Sequence, residues 1–139
     1  MDWIIFALLS AAFAALVAIF GKIGIANIDS TLATSVRAVV MAVFLVITSF
    51  SLGKLKLFHT IGHKALIFIV LSGVAGAVSW LFYFVALKRG PISGVAALDR
   101  LSVIFVLILA VLFFHEQFTW KSALGGVLLT IGAILMTIK

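Results

Sequence analysis

The chain has 139 residues, 65% of them hydrophobic, with a mean hydropathy of +1.42. Charged residues make up 10%, against about a quarter in an ordinary soluble domain, so the composition excludes a water-facing surface and marks an integral membrane protein. The ten Lys and Arg against four acids would suggest nucleic acid in a soluble chain, but in a membrane chain they flank spans and meet anionic head groups, which removes nucleic acid as a partner.

A membrane-spanning helix needs about 20 apolar residues, and the first such stretch is Trp3–Gly24. Ala12-Phe13-Ala14 imitates a signal-peptidase site, but the start "MDWIIF" carries no basic segment and the apolar run is span-length, so it reads as a retained helix. Ala7, Ser10, Ala14, Gly21 and Gly24 form a small-residue stripe along it. After "ANIDS" the second span runs Ser30–Leu52, with Ser30 as the expected cap and Arg37 inside. The basic stretch "GKLKLFHTIGH" reads as a loop before the third span, Lys64–Leu87. There Ser72 with Gly76 and Gly73 with Ala77 are small pairs of the kind that let helices approach.

The only proline, Pro91 in "KRGPIS", stands where a helix restarts, and the fourth span is Ser93–Phe114 with Ser93 as its expected cap. "HEQFTW" closes it, Thr119 is the next expected cap, and the fifth span is Lys121–Ile138 with the small pair Ser122 and Gly126. That last span is the candidate for a helix or subunit contact. None of the segments alternates in polarity as a β-barrel strand does. Residues 1–139 therefore read as a single all-α membrane domain of five transmembrane helices, multi-pass in a cytoplasmic membrane.

Three ionisable residues lie well inside spans: Arg37, Asp99 and Arg100. Each costs about 2.5–3.5 kcal/mol at a helix centre on insertion scales, so such residues mark function or mutual pairing. Arg37 follows Ser30, and Arg100 follows Ser93, by the same spacing, which puts both roughly 10 Å in from a helix start at 1.5 Å per residue. Spans two and four run in the same direction, so all three charges share one level of the membrane. Neighbours on a helix point about 100° apart, so Asp99 faces with Ala96, Ser102 and Val106, Arg100 with Ala97 and Leu107, and Arg37 with Thr34, Met41 and Thr48. One reading is a structural Arg37–Asp99 bridge with Arg100 snorkelling to the interface. The other is the polar wall of a water-filled cavity, whose arginines contact an anionic or zwitterionic solute and whose Asp99 is the one carboxylate placed to cycle protons.

On the third span Trp80, Tyr83 and Phe84 share a face. Such a stripe fits packing or an interfacial belt, but a tyrosine hydroxyl needs a polar partner, which selects Tyr83 as a cavity residue. The cavity candidates are then Arg37, Trp80, Tyr83, Asp99, Arg100 and Ser102. His59, His63 and His115 have no partners at metal-ligand spacing, no phosphate-binding glycine loop is present, and there is no cysteine, so the sequence offers no enzyme, metal or cofactor constellation.

From Tyr83 onward the order "YFVAL", "RGPIS", an apolar helix reaching Glu116, Phe118-Thr119, and a last helix with Gly125 and Gly132 closely resembles the EamA-type half of the drug/metabolite transporter superfamily. Arg37 matches an arginine common in the family's second helix. The resemblance covers essentially the whole chain as one five-helix repeat, strongest over the last three helices. It implies solute transport by alternating access. Most members carry two inverted repeats and this chain one, so it looks like the five-helix bacterial and archaeal subgroup. Here "LDRLS" stands where longer members have Glu-Pro at the positions of Ser102-Val103. The related four-helix exporters use a first-helix glutamate, and no acid follows Asp2 in the first span. Glu116 matches a family position where a structural capping role is expected.

The resulting expectation is a transporter of a small polar metabolite that works as a dimer. The rival is a membrane subunit that assembles with another protein and moves nothing alone. Five spans put Lys54, Lys56, Lys64 and Lys121 on one side and Lys22, Lys88, Arg89 and Lys139 on the other, four against four. Orientation follows the Lys/Arg imbalance of short loops. A balanced chain is expected to insert both ways and to pair as an antiparallel homodimer.

Overall fold

The computed structural model describes residues 2–138, and every regular element among them is helical. In chain order these are α1 (Asp2–Gly24), α2 (Ser30–Ser51), a 3-10 helix (Lys54–Thr60), α3 (His63–Arg89), α4 (Ile92–Asp99), α5 (Ser102–Phe114) and α6 (Trp120–Leu135). Among the described residues four stretches are long and apolar enough to cross a membrane: α1, α2, α3, and α4 with α5 taken together as Ile92–Phe114. The fifth, α6, is shorter than the sequence suggests at 16 residues. The Ile138 N–H still donates to the Ile134 carbonyl at 3.1 Å, so the helical path continues beyond Leu135. At 1.5 Å per residue it reaches about 28 Å, close to the thickness of a bilayer core. Large apolar side chains such as Phe44, Phe50, Phe105 and Phe113 are exposed; in water they would form an aggregating surface, whereas lipid solvates them. The molecule is an all-α, multi-pass membrane protein.

The helix ends correct two readings of the sequence. The cap of α2 is Asp29 and not Ser30: one carboxylate oxygen of Asp29 accepts from the N–H of Thr31 at 2.9 Å and of Leu32 at 3.0 Å. A carboxylate satisfies two orphan donors at once and complements the positive end of the helix, which leaves Ser30 free to be the buried first residue. α4 starts at Ile92, one residue earlier than expected, with extended Pro91 rather than Ser93 before it. Thr119 caps α6 as its sequence suggests, its Oγ1 accepting from Ser122 N–H at 3.2 Å. α5 closes on His115 in the left-handed region at φ 52°, and the N–H groups of His115 and Glu116 both return to the Ala110 carbonyl. The expected capping at Glu116 is thus carried by its backbone. The basic connection read as a loop folds instead into the 3-10 helix, entered through left-handed Gly53.

Close contacts divide the chain into two compact units, residues 21–88 and residues 1–20 with 89–139. In the first, Ile25, Phe84 and Leu87 form the buried core, and Gly21 lies so near that a Cβ there would meet the Phe84 ring at 3.3 Å. Lys22 Nζ donates to the Leu87 carbonyl and Lys88 Nζ to the Ile28 carbonyl at 2.6 Å. These bonds tie the end of α3 to the chain entering α2, and they neutralise the carbonyl end of a helix with cations.

In the second unit the fourth span is not one continuous α-helix, as the sequence suggests. Between α4 and α5 the backbone stays right-handed but tightens, with 3-10 bonds from Arg100 to Ala97, Leu101 to Leu98, Val103 to Arg100 and Ile104 to Leu101. Packing explains the tightening. Gly94 of α4 faces Met136 and Thr137 beyond α6, and Ile104 of α5 faces Gly126 within α6. Ten residues of pure α-helix would leave Gly94 and Ile104 about 80° apart in direction. A 3-10 residue turns about 120° instead of 100°, so a stretch of roughly four restores both to the face that meets α6.

Candidate functional site

Arg37 projects from α2 toward α3, and its guanidinium carbon lies 3.6 Å from the centre of the Trp80 ring and 5.6 Å from that of Phe84. Trp80 is held in turn by an edge-on contact with Tyr83 at 5.4 Å and a tilted one with Phe84 at 5.9 Å. The planar, weakly hydrated guanidinium is the cation best suited to such a face. A cation–π contact contributes about 0.5–1 kcal/mol where exposed and about 2 where desolvated, which offsets part of the roughly 2.5–3.5 kcal/mol that an arginine costs at this depth. The Trp80 ring takes one side of the guanidinium, and Phe84 lies farther off. Tyr83 lies within electrostatic reach of the guanidinium, and the acid of the same compact unit, Asp29, is committed to the N–H groups of Thr31 and Leu32.

Arg37 lines a cavity of about 580 Å³ between α2 and α3. Its walls include Thr34, Met41, Leu45, Gly73, Gly76 and Trp80, and Arg37 is the charged residue among them. Thr34 and Ser35 also line it, but their hydroxyl protons are committed to the carbonyls of Ser30 at 2.7 Å and Thr31 at 3.0 Å. They can therefore accept but not donate toward the cavity. Gly73 and Gly76, which the sequence offered as points of helix approach, have nothing within 4 Å of where a Cβ would stand. These glycines open space instead of closing it.

Of the six residues singled out in the sequence, Arg37, Trp80 and Tyr83 come together on α2 and α3. Tyr83 braces Trp80 and is not part of the cavity wall. Asp99 ends α4, Arg100 lies in the tight turn and Ser102 opens α5, all three exposed and in the other compact unit. In that unit a second cavity of about 750 Å³ lies between α5 and α6, lined by residues such as Ile104, Leu107, Gly126 and Thr130. No ionisable side chain lines it.

Residues 1–138 match the model of the EamA-like transporter family. The chain belongs to that family. It is also similar, at 41% identity over 137 residues, to a Sinorhizobium sp. protein named "Uncharacterized transporter in cobO 3'region", with 99% of this chain and 97% of that protein covered. No solved structure matches it. This EamA-like chain is accordingly a membrane transporter, and its arginine in the second helix is the charge that borders a cavity. Sequence reasoning placed Thr34 and Met41 on the arginine's face, and both line that cavity. It missed Leu45, Gly73 and Gly76 as wall residues, because a small residue facing a void and one facing a helix leave the same pattern.

Proposed function

We propose that this EamA-like transporter moves a small polar metabolite across a bacterial or archaeal cytoplasmic membrane by alternating access, its five helices acting as one repeat and two copies forming an antiparallel homodimer. The single observation that supports it best is Arg37: a cation held against Trp80 that lines a cavity within the second span. A charge held this way is costly for stability alone and useful for a solute that neutralises it. Pairing follows from the balanced lysines and arginines, since two opposed copies rebuild the inverted repeat from which alternating access is made. In the other compact unit Asp99, Arg100 and Ser102 are the polar candidates of the fourth span, with Asp99 the group able to carry a proton.

The test is a metabolite screen with the purified chain in liposomes, at several pH values and sodium levels. At least one solute should accumulate with the wild type and not with Arg37→Gln. If no solute moves, and the chain instead co-purifies with a second membrane protein, it is a non-transporting subunit.

A further inference from the structure

The cavity is polar at one end only. Arg37 and Trp80 stand at one level, and the walls beyond them, Met41, Ala42 and Leu45 on α2 and Ala77, Gly76 and Gly73 on α3, carry no polar side chain. Leu45 lies eight residues past Arg37, about 12 Å along the helix, so the void extends along α2 as an apolar groove with a cation toward one end. No free carboxylate of the same compact unit opposes its charge: Asp29, at the start of α2, is the one acid in residues 21–88, and its carboxylate is engaged with Thr31 and Leu32. In a low-dielectric groove a single positive charge is matched by a single negative one. A second charge on the ligand would be left uncompensated. The Thr34 and Ser35 hydroxyls cannot help a second anionic group, because both already donate to backbone carbonyls.

From this geometry we infer that the α2–α3 cavity binds an organic monoanion with an apolar body, its carboxylate or equivalent group on the Arg37 guanidinium and its body along the Gly73–Gly76 wall. The inference rests on the transporter reading of the same site and narrows its solute. The shared chemistry, one negative head on an apolar body, belongs both to free organic acids and to anionic lipids. Glycine at positions 73 and 76 is what makes room for the body, since a side chain at either would project into the groove.

Trp80 is a built-in reporter. In a background with Trp3→Phe and Trp120→Phe it is the remaining tryptophan of the three, and a ligand that draws on the guanidinium alters its emission. The full chain is placed in phosphatidylcholine nanodiscs and titrated with benzoate. A saturable change is expected, weaker by about tenfold or more in Arg37→Gln, in keeping with the loss of a charged hydrogen bond. Gly76→Leu, which fills the groove and leaves the Arg37–Trp80 stack in place, should also abolish it and serves if Arg37→Gln fails to fold. Benzyl alcohol, the neutral counterpart, should bind far more weakly, as should phenylalanine and succinate. Repeating the titration in nanodiscs containing phosphatidylglycerol separates the sources: competition there makes the lipid the resident monoanion, and its absence leaves a free organic acid. No saturable change with benzoate, equal binding of benzyl alcohol, or tighter binding of phenylalanine or succinate overturns the inference. Arg37-dependent flux of some other solute in the liposome screen would then leave the transporter reading standing.

Discussion

The guanidinium of Arg37 lies 3.6 Å from the centre of the Trp80 ring. That contact joins α2 to α3 across 43 residues of sequence and makes an intramembrane charge tolerable without an acidic partner in the same compact unit. If the stack is energetic and not incidental, a double-mutant cycle with Arg37→Met and Trp80→Leu should give a coupling of about 1–2 kcal/mol, measured by unfolding in mixed detergent. Additive losses would mean that the ring and the cation are neighbours only.

Asp29 predicts a pH dependence. The N–H of Leu32 above all, helped by Thr31 and the nearby Lys88, holds its carboxyl below the usual carboxylate range, although desolvation, second in size to Leu32, opposes them. The fold therefore favours the charged form. Its contribution is complete above the ordinary pKa near 3.9 and is lost as pH falls through the lowered value. Asp29→Asn, which keeps an acceptor for the same N–H groups, should flatten the stability profile below about pH 4. Asp29→Ala should lower thermal stability at neutral pH. A profile identical to wild type in the Asn variant would contradict this role.

His115 occupies a left-handed position, φ 52°, where glycine is the usual residue. His115→Gly should stabilise the α5 terminus by about 0.5–1 kcal/mol, and His115→Val should destabilise it. Thermal unfolding of the two variants in one detergent checks the order. The reverse order would mean that the imidazole supports the turn in some way that outweighs its backbone strain.

The spans were legible because lipid leaves so little freedom: about 20 apolar residues, a polar break, and another run. The arginine in the second span, its face with Thr34 and Met41, and the cap at Thr119 were legible for the same local reasons. Three features were not. The 3-10 turn at Arg100 and Leu101 contains neither proline nor glycine, and it exists because Gly94 and Ile104 must both face the α6 end of the chain. Asp29 outcompeted Ser30 as a cap through its charge, a single carboxylate oxygen taking both N–H groups, and spacing does not decide a contest between adjacent good caps. The contact that Arg37 makes within its own unit is with an aromatic ring on another helix, which the spacing along a single helix does not show.

Topology follows from the lysines and arginines. With four on each side, the chain should insert in both orientations. The protein has no cysteine, so His59→Cys in the connection between α2 and α3 gives a single label site. A membrane-impermeant maleimide applied to intact cells should reach about half the copies, and two added lysines on one side should shift the split. Complete labelling or complete protection would establish a fixed orientation and exclude the antiparallel dimer.

Initial uptake rate in liposomes shows whether Arg37 handles the transported solute. The solute returned by the metabolite screen is compared in wild type, Arg37→Lys and Arg37→Gln at equal reconstituted amounts. Ammonium keeps the charge but loses the planar fork and the stack, so Arg37→Lys should retain a reduced rate. Arg37→Gln should fall by about tenfold or more, as expected when a charged hydrogen bond is lost. Uptake by Arg37→Gln at the wild-type rate would contradict the account and reduce Arg37 to a packing residue on Trp80.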